Sequence, residues 1–563
     1  MLNTIREHLN HRELVFVVAF VLCLAFCFYR PQLGQTFFLE IEKWTSRLSR
    51  RKSLAILIVG ISPIFIRLAL LPLIPAPVPQ VHDEFSYLLA ADTFASGRLT
   101  NPAHPMSLFM DTIHVNQHPT YMSKYPPAQG MILAFGQITT GHPWTGVLLS
   151  VGLMCGATLW MLQGWLPPDW AFLGGVLVVL RLGIFSYWMN SYWGGAVPAI
   201  GGALVLGAVP RLIRSNKPLY SLILGIGAVV LMNSRPLEGF ALCLPVAALL
   251  LHWLVSKRSP PMAISLWSVV APCTVVLLMS LVFVGYYNYR NTGSALLMPY
   301  VLNERNYWST PTLLWQKLRP PIHFANPQFE SFYNVWSRNL WLETTGSVFK
   351  RATSVIMKLV YFFCWPELCV PLSAIVLVVR DRKFRFLFVE LIISFAAFLV
   401  VAWFQPHYAA PVVTAIFALL VQGIRHLRYF EFRGRSTGMG LTRVIIIFSF
   451  LLSPFHPHSA AFEEPSKAND RATIQSQLEA MPGKQLVIVR YSIDHHDPLL
   501  EWVYNRADID NAKVVWLREI PGQSTRIPLE YFHERQAWLV EPDSEHPSLS
   551  LYSPRTEQNS RGE

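Results

Sequence analysis

Long apolar runs separated by short polar segments dominate this chain. A helix needs about 20 apolar residues to cross a bilayer, and about twelve runs reach or approach that length. Several have Gly or Pro at their ends, which helices packed inside a bundle tolerate. The runs lie at about 14–29, 54–77, 145–166, 171–189, 195–210, 219–234, 237–255, 264–286, 352–379, 387–404, 408–424 and 441–454. The pattern predicts an α-helical polytopic membrane protein of about twelve transmembrane helices, the first of them uncleaved.

Basic residues gather in the segments between these runs. With each run taken as a span, all the basic clusters fall on one side, which the positive-inside rule identifies as cytoplasmic. The clusters are Arg47, Arg50, Arg51 and Lys52; Arg211, Arg214 and Lys217; Lys257 and Arg258; Arg380, Arg382, Lys383 and Arg385; and Arg425, Arg428, Arg433 and Arg435. The loops 78–144 and 287–351 and everything after about 455 are then extracytoplasmic. The apolar segment 128–140 is short, and we expect a half-inserted juxtamembrane helix.

The pattern changes from about residue 456, where polar and charged residues return. Residues 485–491, 513–518 and 536–541 have the composition of short buried strands, and 472–481 and 498–506 are predicted helices. The sequence therefore predicts three parts. They are an N-terminal span with a basic loop (1–53), a transmembrane domain (54–455), and a small extracytoplasmic soluble α/β domain (456–563).

Composition supports a membrane protein, because 52% of the residues are hydrophobic and only 14% are charged, against about a quarter in soluble proteins. A net charge of +12 could indicate nucleic-acid binding. Its distribution among short loops indicates membrane orientation instead, so we expect no nucleic-acid partner. The seven cysteines lie in or beside apolar runs without a CxxC pair, which is typical of buried apolar residues.

Candidate chemistry begins after the second run, where Asp83 and Glu84 follow a Pro-rich segment, 72–79. Two adjacent carboxylates there are also compatible with the start of a helix, where acidic residues cap backbone amides. Further along the same loop, Lys124 and Tyr125, two candidate ligands of a substrate or lipid phosphate, precede two prolines and the short apolar segment. An ammonium group at the membrane surface suits a phosphate that stays near the headgroups, although a snorkelling lysine fits the same position.

An Asp-Glu pair after an early span, followed by Lys-Tyr-Pro-Pro leading into an apolar segment, resembles the GT-C superfamily of membrane glycosyltransferases. The resemblance is strongest to the group of dolichyl-phosphate-mannose–protein mannosyltransferases and aminoarabinose transferases. It covers about 54–430 and is most specific over 80–140. The sequence departs from this group in Tyr125, which is inserted into the basic motif, and in its C-terminal domain.

The resemblance implies transfer of one sugar from a polyprenyl-phosphate donor to a glycan, lipid or protein acceptor outside the cytoplasm, in a bacterial inner (plasma) membrane. Such a reaction needs a base on the acceptor hydroxyl and positive charge at the departing phosphate. We therefore expect Asp83 to be the catalytic base, with Glu84 orienting it or contacting the sugar. Direct displacement would invert the anomeric centre.

Other residues on the same predicted side are candidate ligands of the donor or acceptor. Arg235 could hold the phosphate or form a structural pair with Glu238. His407 and Tyr408 could contact phosphate or acceptor, and Trp193 could stack on a sugar. For the last three, an interfacial aromatic belt is the explanation that the positions favour. The loop 287–351 is rich in Tyr and Trp, which suits either glycan contact or a packed cap over the bundle.

Four histidines in the first outer loop, His82, His104, His114 and His118, raise the possibility of a divalent metal. Their spacing matches no structural zinc pattern, so we predict that no cofactor is required. The alternative function is a multispanning transporter or lipid flippase. Transporters usually carry ionisable residues near the midplane and internal repeats, whereas the charges of this chain gather at one face and no repeat is visible. Arg67 and Arg181, inside spans, are exceptions.

Overall fold

Helices dominate the computed structural model, which describes residues 11–256, 260–456, 459–462, 466–492, 495, 497 and 500–553. The helices are α1 His11–Phe26, α2 Gln35–Arg50, α3 Lys52–Ala69, α4 His82–Ala95, α5 Ser107–Met110, α6 Pro127–Thr140, α7 Trp144–Trp165, α8 Pro168–Val178, α9 Ala196–Ser215, α10 Pro218–Met232, α11 Pro236–Val255, α12 Met262–Thr292, α13 Pro299–Tyr307, α14 Ser337–Thr345, α15 Val348–Phe363, α16 Glu367–Arg380, α17 Arg385–Val400, α18 Pro406–Leu427, α19 Thr437–Leu451, α20 Lys467–Ala480 and α21 Arg526–Tyr531. Short turns of helix also occur at Val179–Gly183, Pro327–Phe329, Glu330–Trp336, Ser453–Phe455 and Ala460–Phe462.

The chain is an integral membrane protein, as predicted. Among the described residues, six helices are long and apolar enough to cross a membrane, or seven if α15 and α16 form one span. The six are α3, α7, α9, α11, α12 and α18. Residues 14–26, α10 and α19 are apolar but shorter. The structure therefore confirms the helical membrane architecture, whereas the count of about twelve spans stays a prediction.

Two of the predicted runs differ from the observed helices. The run 54–77 stops being helical at Ala69, before its proline-rich end. The run 352–379 is not one straight span, because α15 and α16 meet at an angle of 118°. Pro366 and Pro371 lie at this break, and each lacks the backbone N–H that a continuous helix would use.

The basic clusters lie together at one end of the bundle. Lys383 donates to the carbonyl of Trp165 at the end of α7, and Arg214 donates to the neighbouring carbonyl of Gly164 at 3.4 Å. Arg428 forms a bidentate pair with Glu42 at 2.8 and 2.9 Å. These contacts agree with a single basic side. The cluster of Lys257 and Arg258 lies outside the described residues, and the cytoplasmic assignment stays a prediction.

The C-terminal region contains a four-stranded sheet. Strands β4 Gln485–Val489, β5 Val514–Arg518 and β6 Gln536–Val540 are parallel, and β7 Ser550–Leu551 is antiparallel to β6. The order of the strands across the sheet is β5-β4-β6-β7. All three predicted strands are confirmed, and so is the first predicted helix, as α20. The second predicted helix, 498–506, is wrong over its described part, since 500–506 carries no regular structure and instead packs against the first outer loop.

This sheet shares a hydrophobic core with the first outer loop. The loop contributes strands β1 Asn101–Pro102, β2 Val115–Asn116 and β3 Thr120–Ser123, which form a second small sheet. Residues of both regions pack in one buried cluster that includes Leu89, Phe109, Val115, Leu486, Ile488 and Leu517. Such burial excludes apolar surface from water on both sides of the contact. The C-terminal sheet is therefore fixed directly above the loop that carries Asp83.

Candidate active site

Asp83 and Glu84 occupy the first turn of α4, and neither is its N-cap, which is Val81. Both oxygens of Glu84 accept backbone N–H groups, from Gln80 at 3.0 Å and Tyr192 at 2.9 Å. The side chain is buried, and this burial raises the pKa of Glu84 to about 7. Glu84 thus joins the start of α4 to the turn around residue 192. Its expected role in orienting or binding substrate stays a prediction.

Glu84→Gln is expected to destabilise the fold by about 1–3 kcal/mol, the usual effect of leaving a buried amide without an acceptor. A glutamine offers one acceptor oxygen where the carboxylate offers two, and its NH₂ group would face a backbone N–H. Thermal unfolding in detergent measures the change. An unaltered melting temperature together with lost activity would contradict the structural role of Glu84.

Asp83 points away from Glu84, toward the first outer loop. Its side chain is 26% exposed. The Tyr125 hydroxyl donates to Asp83 Oδ1, and His114 Nε2 lies 3.8 Å from Asp83 Oδ2. Sequence reasoning placed Tyr125 among the substrate ligands, and the structure joins it to the candidate base. The hydrogen bond from Tyr125 orients the Asp83 carboxylate, and His114 lies beside it beyond hydrogen-bonding distance, so part of the carboxylate stays open.

His114 connects Asp83 to Lys124. The Lys124 ammonium donates to His114 Nδ1 at 2.8 Å, which leaves the ring proton on Nε2, facing Asp83. Burial, together with Lys124 and His82, holds the pKa of His114 well below its usual range, so the imidazole is neutral. Its φ of +67° is unusual for a residue other than glycine. Sequence reasoning considered His114 only as a metal ligand, and its spacing gave no signal of this bridging position.

Lys124 is a buried cation, with only 4% of its surface exposed. Within the described part of the chain, no carboxylate lies within ion-pairing distance of its ammonium group; the nearby Glu304 pairs with Arg319 at 3.1 Å. The rings of Tyr125, Tyr300 and Trp308 surround the ammonium at 4.9–5.1 Å. Burial lowers the pKa of Lys124 to about 7. A charge with this environment favours an anionic ligand over a protein partner.

A small cleft opens beside Lys124, with an internal volume of about 10 Å³, which is room for about one water molecule. Its lining combines the cation, a carboxylate and aromatic rings: Lys124, Tyr300, Glu304, Trp308, Thr312 and Trp403. Trp403 also contacts the aromatic cap formed by the second outer loop. Its ring stacks on that of Trp336, with the ring centroids 5.6 Å apart. The aromatic loop therefore both packs as a cap and lines the cleft.

Arg235 lies near this group, as the N-cap residue of α11. Its guanidinium stacks on the ring of Tyr408 at 4.0 Å and lies 3.8 Å from Glu238. The structural pair with Glu238 is therefore present, and the side chain remains 19% exposed, so the predicted contact of Arg235 with phosphate stays a prediction. Tyr87 stacks on Tyr125 at 4.5 Å and links the two regions.

Trp193 and His407 form a neighbouring aromatic cluster. Their ring centroids are 4.7 Å apart, and the Tyr187 hydroxyl lies 3.1 Å from His407 Nδ1. His407 is buried and contacts the ring of Tyr408 at 5.0 Å. The two residues are packed against protein groups, and their predicted contact with substrate stays a prediction.

Hydrogen bonds tie the separate outer segments into one frame. The N–H of Ala128, at the start of α6, donates to Asn233 O at 2.9 Å. Gln129 donates to Tyr192 O at 2.8 Å, and Tyr192 in turn donates to Glu84. The helix α6 itself lies against α7 so closely that a Cβ on Gly146 would come within 2.1 Å of a carbonyl of α6. Asp83, Lys124 and Arg235 therefore lie at one end of the bundle, opposite the basic clusters.

Tyr504, from the C-terminal region, reaches the same helix. Its ring stacks on Phe85 at 3.7 Å, and its hydroxyl contacts Nδ1 of His82, the residue before Asp83. Sequence reasoning missed Tyr504, because it is separated from His82 by 422 residues and no local motif marks it.

Tyr504→Phe is expected to lower kcat about fivefold, since one net hydrogen bond is worth about 1 kcal/mol, while the donor KM stays unchanged. The loss of the hydroxyl loosens the first turn of α4 without touching the pocket. Tyr531→Phe removes a hydroxyl from an exposed position of the same domain and is the matched control. A rise in KM without a change in kcat would contradict this positioning role.

The four histidines of the first outer loop do not converge. His82 contacts Tyr504, His104 pairs with Asp510 at 3.2 Å, and His118 lies 3.3 Å from Ser107. Over the described ranges, no group of three His, Cys, Asp or Glu side chains is arranged to hold a metal ion. The expectation that no cofactor is needed stays a prediction.

Known proteins offer similarity in structure alone. No family model matches the chain, and no curated protein matches its sequence. The chain is similar to the crystal structure of ArnT from Cupriavidus metallidurans in the apo state, with 13% identity, a TM-score of 0.47, and coverage of 90% of this chain and 93% of that one. For the same ArnT bound to undecaprenyl phosphate the values are 12%, 0.49, 86% and 91%.

A further similar structure is the oligosaccharyltransferase AglB from Archaeoglobus fulgidus, in complex with an inhibitory peptide and a dolichol-phosphate. The identity is 10%, the TM-score is 0.45, and the match covers 86% of this chain and 69% of that one. All these TM-scores lie below 0.5, and the assignment of function rests on the geometry of the pocket.

Proposed function

We propose that this protein is a membrane glycosyltransferase that moves a single sugar from a polyprenyl-phosphate donor to an acceptor outside the cytoplasm. The observation that carries the proposal is the buried ammonium of Lys124, which has no carboxylate partner among the described residues, lines a cleft, and contacts His114, whose other ring nitrogen lies 3.8 Å from the partly exposed Asp83. A cation beside a carboxylate fits a reaction that releases a phosphate and removes a proton.

In the proposed reaction the acceptor hydroxyl attacks the anomeric carbon. A bond forms between the acceptor oxygen and that carbon, the bond from the carbon to the phosphate oxygen breaks, and the hydroxyl proton passes to Asp83. Lys124 stabilises the negative charge that grows on the departing polyprenyl phosphate, with Arg235 as a second cation nearby. The Tyr125 hydroxyl holds the Asp83 carboxylate in position, with His114 beside it. One displacement of this kind inverts the anomeric centre.

The acceptor can be a glycan, a lipid or a protein, and no metal takes part in the proposed steps. The aromatic lining of the cleft suits a sugar ring, because pyranose faces pack on aromatic side chains. In the named similar structures, ArnT binds undecaprenyl phosphate and AglB binds a dolichol-phosphate and a peptide. These ligands agree in chemistry with the lipid phosphate that Lys124 and Arg235 would bind.

A transporter or flippase is less consistent with the two arginines inside the bundle. Arg67 donates to Asn190 and to the carbonyls of Ile74 and Pro75 at 2.7–2.8 Å. Arg181 donates to the carbonyls of Phe362, Trp365 and Tyr361 at 2.7–3.0 Å. Guanidinium groups engaged in this way close helix ends and do not line a substrate path.

The test supplies radiolabelled polyprenyl-phosphate sugars to membranes that contain the protein, so that the membranes provide the acceptor. We expect the label to move into a product that no longer extracts with the donor, and free polyprenyl phosphate to appear by mass spectrometry. Reconstituted vesicles distinguish the alternative function. Movement of intact donor between leaflets without release of polyprenyl phosphate would identify a transporter and overturn the proposal.

A further inference from the structure

The helix α2, Gln35–Arg50, lies across the basic end of the bundle with one face against it. On that face Glu42 pairs with Arg428, and Ser49 donates to Asp169 at the start of α8. The ring of Phe38 lies 5.1 Å from the Arg443 guanidinium. These contacts, at both ends of the helix, fix its direction along the surface of the protein.

The remaining surface of α2 divides into two stripes. At about 100° per residue, Phe37, Ile41 and Trp44 lie on one line, and they are 65%, 42% and 66% exposed. The adjacent line carries Glu40, Lys43, Arg47 and Arg50, all exposed. Glu40 pairs with Lys43 at 2.6 Å, whereas Arg47 and Arg50 take part in no ion pair within the described residues. The free surface is thus apolar on one side and positively charged on the other.

The connections of α2 place this surface at the membrane boundary. Only Arg51 separates α2 from α3, which is long and apolar enough to cross the bilayer. A helix of 16 residues is about 24 Å long, and the charges along α2 prevent it from entering the bilayer core lengthwise. It therefore lies flat where α3 enters the membrane. An exposed apolar stripe beside a basic stripe is typical of helices that rest in the headgroup layer.

We propose that α2 is an interfacial helix that binds anionic lipids of the leaflet at the basic end. Phe37, Ile41 and Trp44 insert among the upper parts of the acyl chains, while Arg47 and Arg50 contact the acidic headgroups. The positive charge of the second stripe selects this occupant over neutral lipid, since anionic headgroups attract nearby basic residues. The binding is independent of the chemistry at Asp83.

The experiment introduces a dansyl-bearing amino acid at position 44 by nonsense suppression, and at position 43 as a control, in the full-length protein in nanodiscs. The lipid is phosphatidylcholine that contains a fixed fraction of brominated phosphatidylcholine or brominated phosphatidylglycerol. We expect blue-shifted emission and strong bromine quenching at position 44, and at least twofold weaker quenching at position 43. At position 44, brominated phosphatidylglycerol should quench at least twofold more than brominated phosphatidylcholine.

A double variant, Arg47→Gln with Arg50→Gln, tests the charge. It should remove the difference between the two brominated lipids and leave the quenching by phosphatidylcholine in place, which also shows that the helix remains seated. Equal quenching by both lipids in the unaltered helix would overturn the anionic selectivity. Absence of quenching at position 44 would overturn the insertion of the apolar stripe, and would indicate contact with water or a second protein.

Discussion

Asp83→Asn is expected to lower the rate of sugar transfer by about a thousandfold, within the range that a general base contributes. An asparagine side chain has nearly the same shape and still accepts the Tyr125 hydroxyl, but it cannot take the proton of the acceptor. Donor affinity should change little, because Lys124 remains in place. The measurement is transfer of labelled sugar at saturating donor, alongside thermal unfolding and donor binding.

Asp508→Asn is the matched control, since Asp508 is exposed in the C-terminal region and lies away from the pocket. It makes the same chemical change and should leave transfer unaltered. Full activity of Asp83→Asn in a normally folded sample would exclude Asp83 as the base. A loss of activity that accompanies a lower melting temperature, matching Glu84→Gln, would assign Asp83 a structural role instead.

Lys124→Ala is expected to weaken donor binding by about 10- to 100-fold, because a hydrogen bond to a charged group contributes about 1.5–3 kcal/mol. The loss should appear in the donor Kd, measured with a polyprenyl-phosphate sugar or with polyprenyl phosphate alone. Lys513→Ala, on the exposed surface of the sheet domain, is the control. An unchanged Kd in Lys124→Ala would exclude the phosphate-binding role.

The same lysine predicts how donor binding depends on pH. Burial lowers the pKa of Lys124 to about 7, from an ordinary value of 10.5, so the free protein loses this ammonium as the pH rises through about 7. The phosphodiester of the donor keeps its charge over this range. The donor Kd should therefore rise about tenfold per pH unit above 7, until the pKa of the complex is reached. Lys124→Arg should flatten the profile, because arginine stays protonated.

Stability changes in the opposite direction over that interval. Between pH 7 and 10.5 the unfolded chain keeps the Lys124 proton while the folded protein has lost it. The unfolded state then binds more protons, so the contribution of Lys124 to the free energy of unfolding rises with pH. Weaker donor binding above pH 7 would therefore not reflect unfolding caused by this residue, and parallel melting curves separate the two effects.

The membrane architecture was predictable, because the length of an apolar run shows directly whether a helix can cross a bilayer. The apolar runs, the single basic side and the three strands of the sheet follow from local composition, which is the information that a sequence carries best. The bend between α15 and α16 was not predicted, because the long apolar run 352–379 concealed the effect of the two prolines within it. The region 500–506 resembles a helix locally, but contacts with the first outer loop hold it in an irregular conformation.

The candidate site was predictable only as far as it lies in short motifs. Asp83, Lys124 and Tyr125 belong to two segments with recognisable composition, and the structure brings them together. His114 joins them through a bridge that depends on a left-handed backbone conformation, which no pattern of residue types reveals. Tyr504 contributes across a long separation in sequence, and only the packing of the C-terminal sheet on the loop makes that contact.

The core shared by the first outer loop and the C-terminal sheet sets an order of events during synthesis. His82 leaves the ribosome 422 residues before Tyr504, which at about 5–20 residues per second is a delay of about 20–80 s. During that interval the bundle can insert while Leu89, Phe109 and Val115 lack the strands that cover them. The first turn of α4 gains its contacts with Tyr504 only when the C-terminal sheet has folded onto the loop, so a nascent or truncated chain holds Asp83 without this support.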